Sequence, residues 1–193
     1  QYLMNEVLNP NAPSNRSRSV TGTPKLVVPD GATLTIPAGV KAVIPQGVVV
    51  ELRGDNGKIV DTGTLNGFVV KTASNGETTY TAHGNTTLDF DLTLYDGAIL
   101  KGTSSTTLTI GDGIPLDAHD SNGFNQIKNF VQTSFLVIHG ILNLPNDKLV
   151  DNILTASKLS VQSNGKIQVV SPGASSIPDT IETWYGVNVT GGR

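Results

Sequence analysis

The chain has 193 residues, of which 13 are basic and 16 acidic, and charged residues make up 15% of the total against a usual value of about 25%. No apolar run approaches the ~18 residues that a membrane helix requires, and a net charge of −3 does not favour nucleic acid as a partner. The chain has no cysteine, which excludes disulfides and thiolate metal sites, and nothing in it predicts a cofactor.

Residues 1–23 precede the patterned part of the chain and form a separate segment. Their turn-forming residues favour an extended arm, and Gln1 is typical of a chain end left by signal-peptide removal, although a truncation point explains it equally well. A flexible arm is one interpretation. The other is an arm that docks on a neighbouring subunit, or caps the end of the solenoid, through its apolar residues, which are Tyr2, Leu3, Met4, Val7 and Leu8.

An internal repeat of eight residues runs through residues 25–52. Three Pro-x-Gly triplets begin at Pro29, Pro37 and Pro45, and each follows a short run with two apolar residues spaced two apart. This spacing is typical of a strand with one apolar face, and Pro followed by Gly ends the strand in a bend. The repeat predicts that four side chains point inward, with Pro37 and Pro45 at corners: Leu34, Ile36, Val40 and Ile44.

Such short units cannot bury an apolar face alone, so they must stack on further copies. Three octads make about 24 residues, a suitable length for one coil of a three-sided parallel β-helix. The predicted fold is therefore all-β, a parallel β-helix or solenoid formed by one domain over residues 24–193. A set of antiparallel hairpins, as in an antiparallel β-sandwich, is the alternative.

The segment from Ala32 to Val40, ATLTIPAGV, resembles the coils of secreted right-handed parallel β-helix proteins. That group includes bacterial surface adhesins, phage tailspikes and polysaccharide lyases. The resemblance extends over roughly residues 25–52. It implies the fold and an extracellular or surface location, and it carries over no catalytic residue.

Further along the chain, residues 86–94 alternate between apolar and polar side chains, which predicts one strand with Asp89 and Asp91 on its outer face. Apolar residues within 121–158 have the spacing of a helix, which predicts one short helix and leaves a second helix as an alternative. Strands follow on both sides of Gly140 and of Asn164-Gly165. The late aromatic pair, Trp184 and Tyr185, fits a role in sealing the end of the stack.

The densest polar cluster offers oxygen atoms to a calcium ion from Asp117, Asp120 and Asn122, although a solvated turn explains the same residues without a metal. Asp89 and Asp91 have the residue type of an acid/base pair, but side chains two apart on a strand fit glycoside hydrolysis only loosely. We interpret them as outward strand residues. No catalytic constellation is found, so the sequence does not predict an enzyme.

Three functions remain open. The first is an extracellular structural protein that forms a homo-oligomer or polymer, or that mediates attachment. The second is a module that binds or processes surface polysaccharide, with sugar rings stacking on the four best-placed aromatic residues, Tyr80, Tyr95, Trp184 and Tyr185. The third is a fragment of a trimeric phage tailspike.

Overall fold

The computed structural model describes residues 23–95, 97–145, 157–170 and 181–185, and it describes side chains for all of these except residues 170 and 181–185. The predicted second helix near residue 150 and the assembly residues Tyr2, Leu3, Met4, Val7 and Leu8 lie outside these ranges. Within them the chain forms a parallel β-solenoid of about six turns, which confirms the predicted fold class.

The first part of the solenoid, here called the first winding, contains two turns and the start of a third. Each P-x-G triplet forms a corner closed by a backbone hydrogen bond, as from Val40 N to Pro37 O (3.1 Å) and from Val48 N to Pro45 O (3.1 Å). The predicted corners are therefore confirmed. Its strands are β1 (Lys25–Val28), β2 (Thr33–Ile36), β3 (Lys41–Val43), β4 (Val49–Leu52), β5 (Lys58–Asp61) and β6 (Thr64–Thr72).

The register of the first winding matches the predicted coil length. Lys25 pairs with Val49, 24 residues later, so three octads make one turn. β1 pairs with β4, β2 with β5, and β3 with the start of β6, all in parallel. Parallel stacking at this interval excludes the antiparallel sandwich for this part of the chain.

The second winding contains the larger part of the core and one helix. Phe124, Ile127, Phe130 and Val131 place a continuous apolar stripe on that helix, which begins after the N-cap Asp120. The elements are β7 (Thr78–His83), β8 (Asn85–Leu88), β9 (Leu92–Leu94), β10 (Ala98–Lys101), β11 (Thr107–Ile110), β12 (Pro115–Ala118), α1 (Ser121–Thr133), β13 (Phe135–Ile138), β14 (Ile141–Leu144), β15 (Leu159–Val161), β16 (Lys166–Val170) and β17 (Ile181–Tyr185).

Three sheets form the walls of the second winding. One contains β8, β11, β13 and β15 in parallel, and another contains β9, β12, β14 and β16 in parallel, with β17 added antiparallel at its end. The third wall continues from the first winding in the order β1, β4, β6, β7, β10, and we call it the shared sheet. In the turn after β10 the helix α1 packs beside β10 where a further strand would lie.

The shared sheet separates two cores that lie on its opposite faces. Val50 and Val69 face the smaller core of the first winding, whereas Val49, Phe68 and Val70 face the larger core of the second. β6 and β7 are antiparallel, so the strand direction reverses at the same place where the interior changes side. The handedness of a solenoid depends on the strand direction, the side on which the interior lies and the direction in which the stack advances. The strand direction and the side of the interior both reverse between β6 and β7, while the stack keeps advancing in one direction. The two windings therefore have the same handedness.

Two side chains of the first octads are less buried than their predicted inward orientation implies. Ile36 and Ile44 are buried as expected, but Leu34 is 39% exposed and Val40 is 45% exposed. Leu34 lies two residues before the buried Ile36 and therefore faces the same interior, yet no described turn lies above it. Val40 directly follows the corner glycine Gly39, and it likewise belongs to the first turn, which no described turn covers.

A third correction concerns residues 86–94. The predicted alternation of burial is present, with Leu88, Phe90, Leu92 and Leu94 all buried. However, the segment is not one strand, because the chain bends at Phe90 and passes from the β8 sheet to the β9 sheet. Asp89 and Asp91 therefore flank a corner instead of standing side by side on one strand face.

Candidate interaction surfaces

The first turn of the first winding presents a strand edge that no described strand covers. Thr64 N donates to Val40 O (2.9 Å) and Ile44 N donates to Asn66 O (2.8 Å), so alternate residues of β3 bond to β6. In a parallel ladder the intervening residues direct their backbone groups the other way. Lys41 and Val43 in β3, and by the same rule Thr33 and Thr35 in β2, point away from the second turn. We call this backbone the open edge.

Exposed apolar side chains are concentrated in the first winding, and three of them, Leu34, Val40 and Val43, lie in or next to β2 and β3. Eight large hydrophobic residues among the described ones are exposed, and six of these belong to the first winding. Val43 is the most exposed of them at 63%. Single exposed apolar residues are ordinary, but a cluster beside unpaired backbone is typical of an interaction surface. The six are Leu26, Val27, Leu34, Val40, Val43 and Val60.

The helix α1 gives the edge of β10 the cover that β3 lacks. Gln126 Oε1 accepts a hydrogen bond from Leu100 N (3.1 Å), and Asn122 Nδ2 donates to Tyr95 O (2.8 Å) and Ala98 O (3.2 Å). These two amides are four residues apart on one helix face, so together they satisfy backbone groups that another strand would otherwise bond.

A cleft of about 170 Å³ opens where the two windings diverge from the edge of the shared sheet. Its walls combine apolar residues of the Ile44–Val48 corner with the neutral polar side chains of Asn66, Asn85, Thr86 and Thr87. Asn66 Oδ1 accepts a hydrogen bond from Asn85 N (3.1 Å) and ties the two walls together. Ligand pockets are usually about 300–1,000 Å³, so this cleft holds only a small group.

Four hydrogen-bonding side chains form a column on the outer face of the β9–β16 sheet. Their strands pair in register, Thr93 with Asp117, Asp117 with Asn143, and Asn143 with Gln168, and all four are half-buried. Neighbouring strands are ~4.8 Å apart, so the column repeats at that interval along the solenoid. We call it the polar column.

An aromatic pair stands at one side of the polar column. The rings of Tyr95 and His119 are 4.6 Å apart between centroids and tilted by 55°, and His119 Nδ1 lies 3.7 Å from Asp117 Oδ2. Burial raises the pKa of Asp117, while the nearby His119 opposes the shift. Thus Tyr95, predicted to stack on sugar, and Asp117, predicted to bind calcium, belong to one surface.

Two side-chain oxygens near this surface are buried and have no hydrogen-bond partner among the described residues: Oδ1 of Asp91 and Oδ1 of Asn143. Burial raises the pKa of Asp91. The structure does not bring Asp91 and Asp89 into one site, since Asp89 lies instead beside the Gly47 corner of the first winding.

The other predicted calcium ligands have structural partners. Asp120 caps α1 by accepting a hydrogen bond from Gly123 N (2.8 Å), and the side-chain amide of Asn122 bonds to the β10 edge. No group of three or more His, Cys, Asp or Glu suited to a metal ion occurs in the described part of the chain. The calcium site stays a prediction.

The remaining aromatic candidates are separated from Tyr95. Tyr80 in β7 is half-buried against the larger core, which raises the pKa of its hydroxyl. Trp184 and Tyr185 belong to β17, whose backbone pairs with β16 at the end of its sheet. This position agrees with a sealing role for the pair, which stays a prediction because their side chains lie outside the described set.

Sequence reasoning did not place the open edge at Lys41–Val43, and it missed the edge-covering amide of Gln126. The octad pattern carries a signal for the first, since the earliest repeat of a stack has no predecessor. Nothing in the sequence pairs Gln126 with Leu100, which lies 26 residues away.

Comparison with known proteins adds no relative. No protein-family model matches the chain, and no curated protein or solved structure matches it either. None of the helices in the described residues is long and apolar enough to span a membrane.

Proposed function

We propose that this protein is an extracellular structural protein that assembles with copies of itself through the open edge of its first winding. The observation that carries the proposal is the coincidence of two features: backbone at β2 and β3 that no described strand pairs, and six exposed apolar residues in the same winding. Covering this edge on another copy would gain ladder hydrogen bonds and remove apolar surface from water.

The two ends of the solenoid differ in a way that supports the proposal. The edge of β10 is covered by α1, and the β9–β16 sheet ends in the antiparallel strand β17. The open edge has no such cover among the described residues. An interface between one distinct edge and a different surface of the next copy is heterologous, and repetition of such contacts produces fibres or closed rings.

Sedimentation of Val43→Asp tests the proposal. Val43 is 63% exposed, so its replacement should leave the melting temperature unchanged, while a charge beside the edge should block strand pairing. The wild-type protein should sediment as an oligomer or fibre and the variant as a monomer. Phe135→Asp is the matched control, because Phe135 is 44% exposed but lies on a strand paired on both sides.

A wild-type protein that stays monomeric at high concentration would contradict the proposal, as would unchanged assembly of Val43→Asp. A discrete trimer would instead favour the phage-tailspike hypothesis, because those proteins are trimeric. Negative-stain microscopy of the same samples distinguishes fibres from trimers directly.

A second candidate is a carbohydrate-binding module, and the polar column beside Tyr95 is the observation that favours it. Hydroxyl, carboxylate and amide groups next to an exposed ring are the groups that recognise sugars. Tyr95 is 53% exposed. Binding on a saccharide array that disappears in Tyr95→Ala and persists in Phe135→Ala would support this function, and absence of binding by the wild type would contradict it.

A further inference from the structure

The strand β3 carries a specific combination of groups on the open edge. Lys41 and Val43 direct their backbone outward, Val43 is the most exposed large hydrophobic residue, and Ala42 is only half-buried against the smaller core. No ion pair links Lys41 to another described residue. A strand laid beside β3 would therefore meet a cation, an uncovered inward methyl group and an outward apolar side chain, in that order.

The start of the chain contains a segment that matches this order. Residues 6–10 read Glu-Val-Leu-Asn-Pro, whereas residues 41–45 read Lys-Ala-Val-Ile-Pro. When the two prolines are aligned, Glu6 lies opposite Lys41, Val7 opposite Ala42, and Leu8 opposite Val43. Glu6 is the only acidic residue among the first 22. The fourth position differs, since Asn9 replaces an apolar residue next to the bend, where asparagine is common.

We infer that residues 6–9 of a second copy add a parallel strand to β3 in this register, an inference that rests on the proposed self-assembly. The opposite charges and the two apolar pairs select β3 over β2. In the same alignment β2 would place Thr33 opposite Glu6 and Thr35 opposite Leu8. Only Leu34, opposite Val7, would then form an apolar pair, and Glu6 would have no charge partner. Backbone hydrogen bonds give such added strands their affinity, and the alternating side chains give specificity.

The length of the connection identifies the occupant as a second copy. Residues 11–22 separate Pro10 from Thr23, where the described chain begins, and twelve residues extend over as much as ~40 Å. In the proposed register Asn9 and Lys25 are equivalent to Ile44 and Val49 one turn later. Fifteen residues lie between the first two, whereas only four cross the corner between the second two. A connection almost four times longer than the corner requires is suited to reach the next molecule. Each copy then donates one strand and accepts another, as in domain swapping.

Disulfide trapping tests both the register and the occupant, since the chain has no cysteine of its own. Adjacent strands bring paired Cα atoms to ~4.8 Å, within the range that a disulfide bridges. In the double variant Leu8→Cys plus Val43→Cys, mild oxidation should produce a ladder of covalent oligomers on a non-reducing gel. The matched control combines Leu8→Cys with Thr35→Cys, which places the second thiol on the edge of β2 and should give no ladder.

Each other outcome overturns the inference in a recognisable way. A monomer that has lost its free thiols would show that the segment binds its own chain, and a ladder only in the Thr35 variant would show that β2 is the acceptor. If neither variant forms a ladder while the wild type still assembles in sedimentation, the donated strand is wrong but the proposed function stands. If the wild type does not assemble at all, both are wrong.

Discussion

The same tetrapeptide occurs once in each winding and is buried to different extents. Thr-Leu-Thr-Ile forms β2 at residues 33–36 and β11 at residues 107–110. The isoleucines are both buried, at 3% exposure for Ile36 and 0% for Ile110. The leucines differ, since Leu34 is 39% exposed and Leu108 is 0% exposed.

The neighbours of the two strands explain this difference. β11 lies between β8 and β13, whereas the only described partner of β2 is β5. Alternation along a strand therefore decides which side chains point inward, and the presence of a turn on each side decides whether they are covered. Among the described residues, the first winding therefore begins in an exposed surface instead of a covered core.

The largest expected effect is the difference between Leu108→Ala and Leu34→Ala. Truncating Leu108 should lower the free energy of unfolding by ~2–5 kcal/mol, because it leaves a cavity in a closed core. Truncating Leu34 should cost about 1 kcal/mol, because much of its side chain is already in water. Chemical denaturation of the monomeric Val43→Asp background measures both, and equal losses would show that Leu34 is covered.

Ile36→Ala and Ile110→Ala provide the control for that comparison. Both side chains are buried, so both substitutions should cost ~2–5 kcal/mol. An unchanged melting temperature in Ile36→Ala would disprove the inward alignment of the octads.

A smaller effect is expected at two glycines that follow equivalent strands of the stack. Ile36 O accepts hydrogen bonds from Thr62 N and Gly63 N, and Ile110 O accepts them from His139 N and Gly140 N. A Cβ at Gly63 would collide with the carbonyls of Pro37 and Val40, and one at Gly140 with those of Gly111 and Ile114. Both substitutions to Ala should therefore cost about 1–3 kcal/mol, as overpacking does.

Thermal unfolding of Gly63→Ala and Gly140→Ala measures whether the turns of the two windings stack equally closely. Similar losses would mean that the windings differ only at the open edge. A tolerated Gly63→Ala beside a destabilising Gly140→Ala would show that the first winding is loosely stacked throughout, which would sharpen the contrast between the two cores.

The smallest effect concerns the covered edge of β10. Gln126→Ala removes the acceptor for Leu100 N and should cost ~0.5–1.5 kcal/mol, with faster hydrogen exchange at the Leu100 amide. Gln126→Glu keeps an oxygen at this position and should preserve the protection. The Val43 amide should exchange quickly in a monomer and slowly in the assembled protein. Fast exchange at Leu100 in the wild type would contradict the covering role of α1.

Much of the fold follows from the sequence alone. The eight-residue spacing of Pro29, Pro37 and Pro45 predicts the corners, and the alternation that ends at Ile36 and Ile44 predicts which strand face is inward, because both depend on local backbone geometry. The helical spacing behind Ser121 likewise predicts α1. These features need no knowledge of which turn lies beside which.

Only the tertiary structure decides where the stack changes and what each edge meets. Asn75-Gly76 between β6 and β7 is a local signal for a hairpin. Nothing local shows that the interior moves to the other face of the shared sheet there, so the burial of Val49 and Val70 could not be predicted from the octads. The polar column joins Thr93, Asp117 and Asn143, which are 24 or more residues apart in sequence. The burial of a side chain and the identity of its neighbours depend on contacts between turns. The sequence of an octad is the same whether or not another turn covers it.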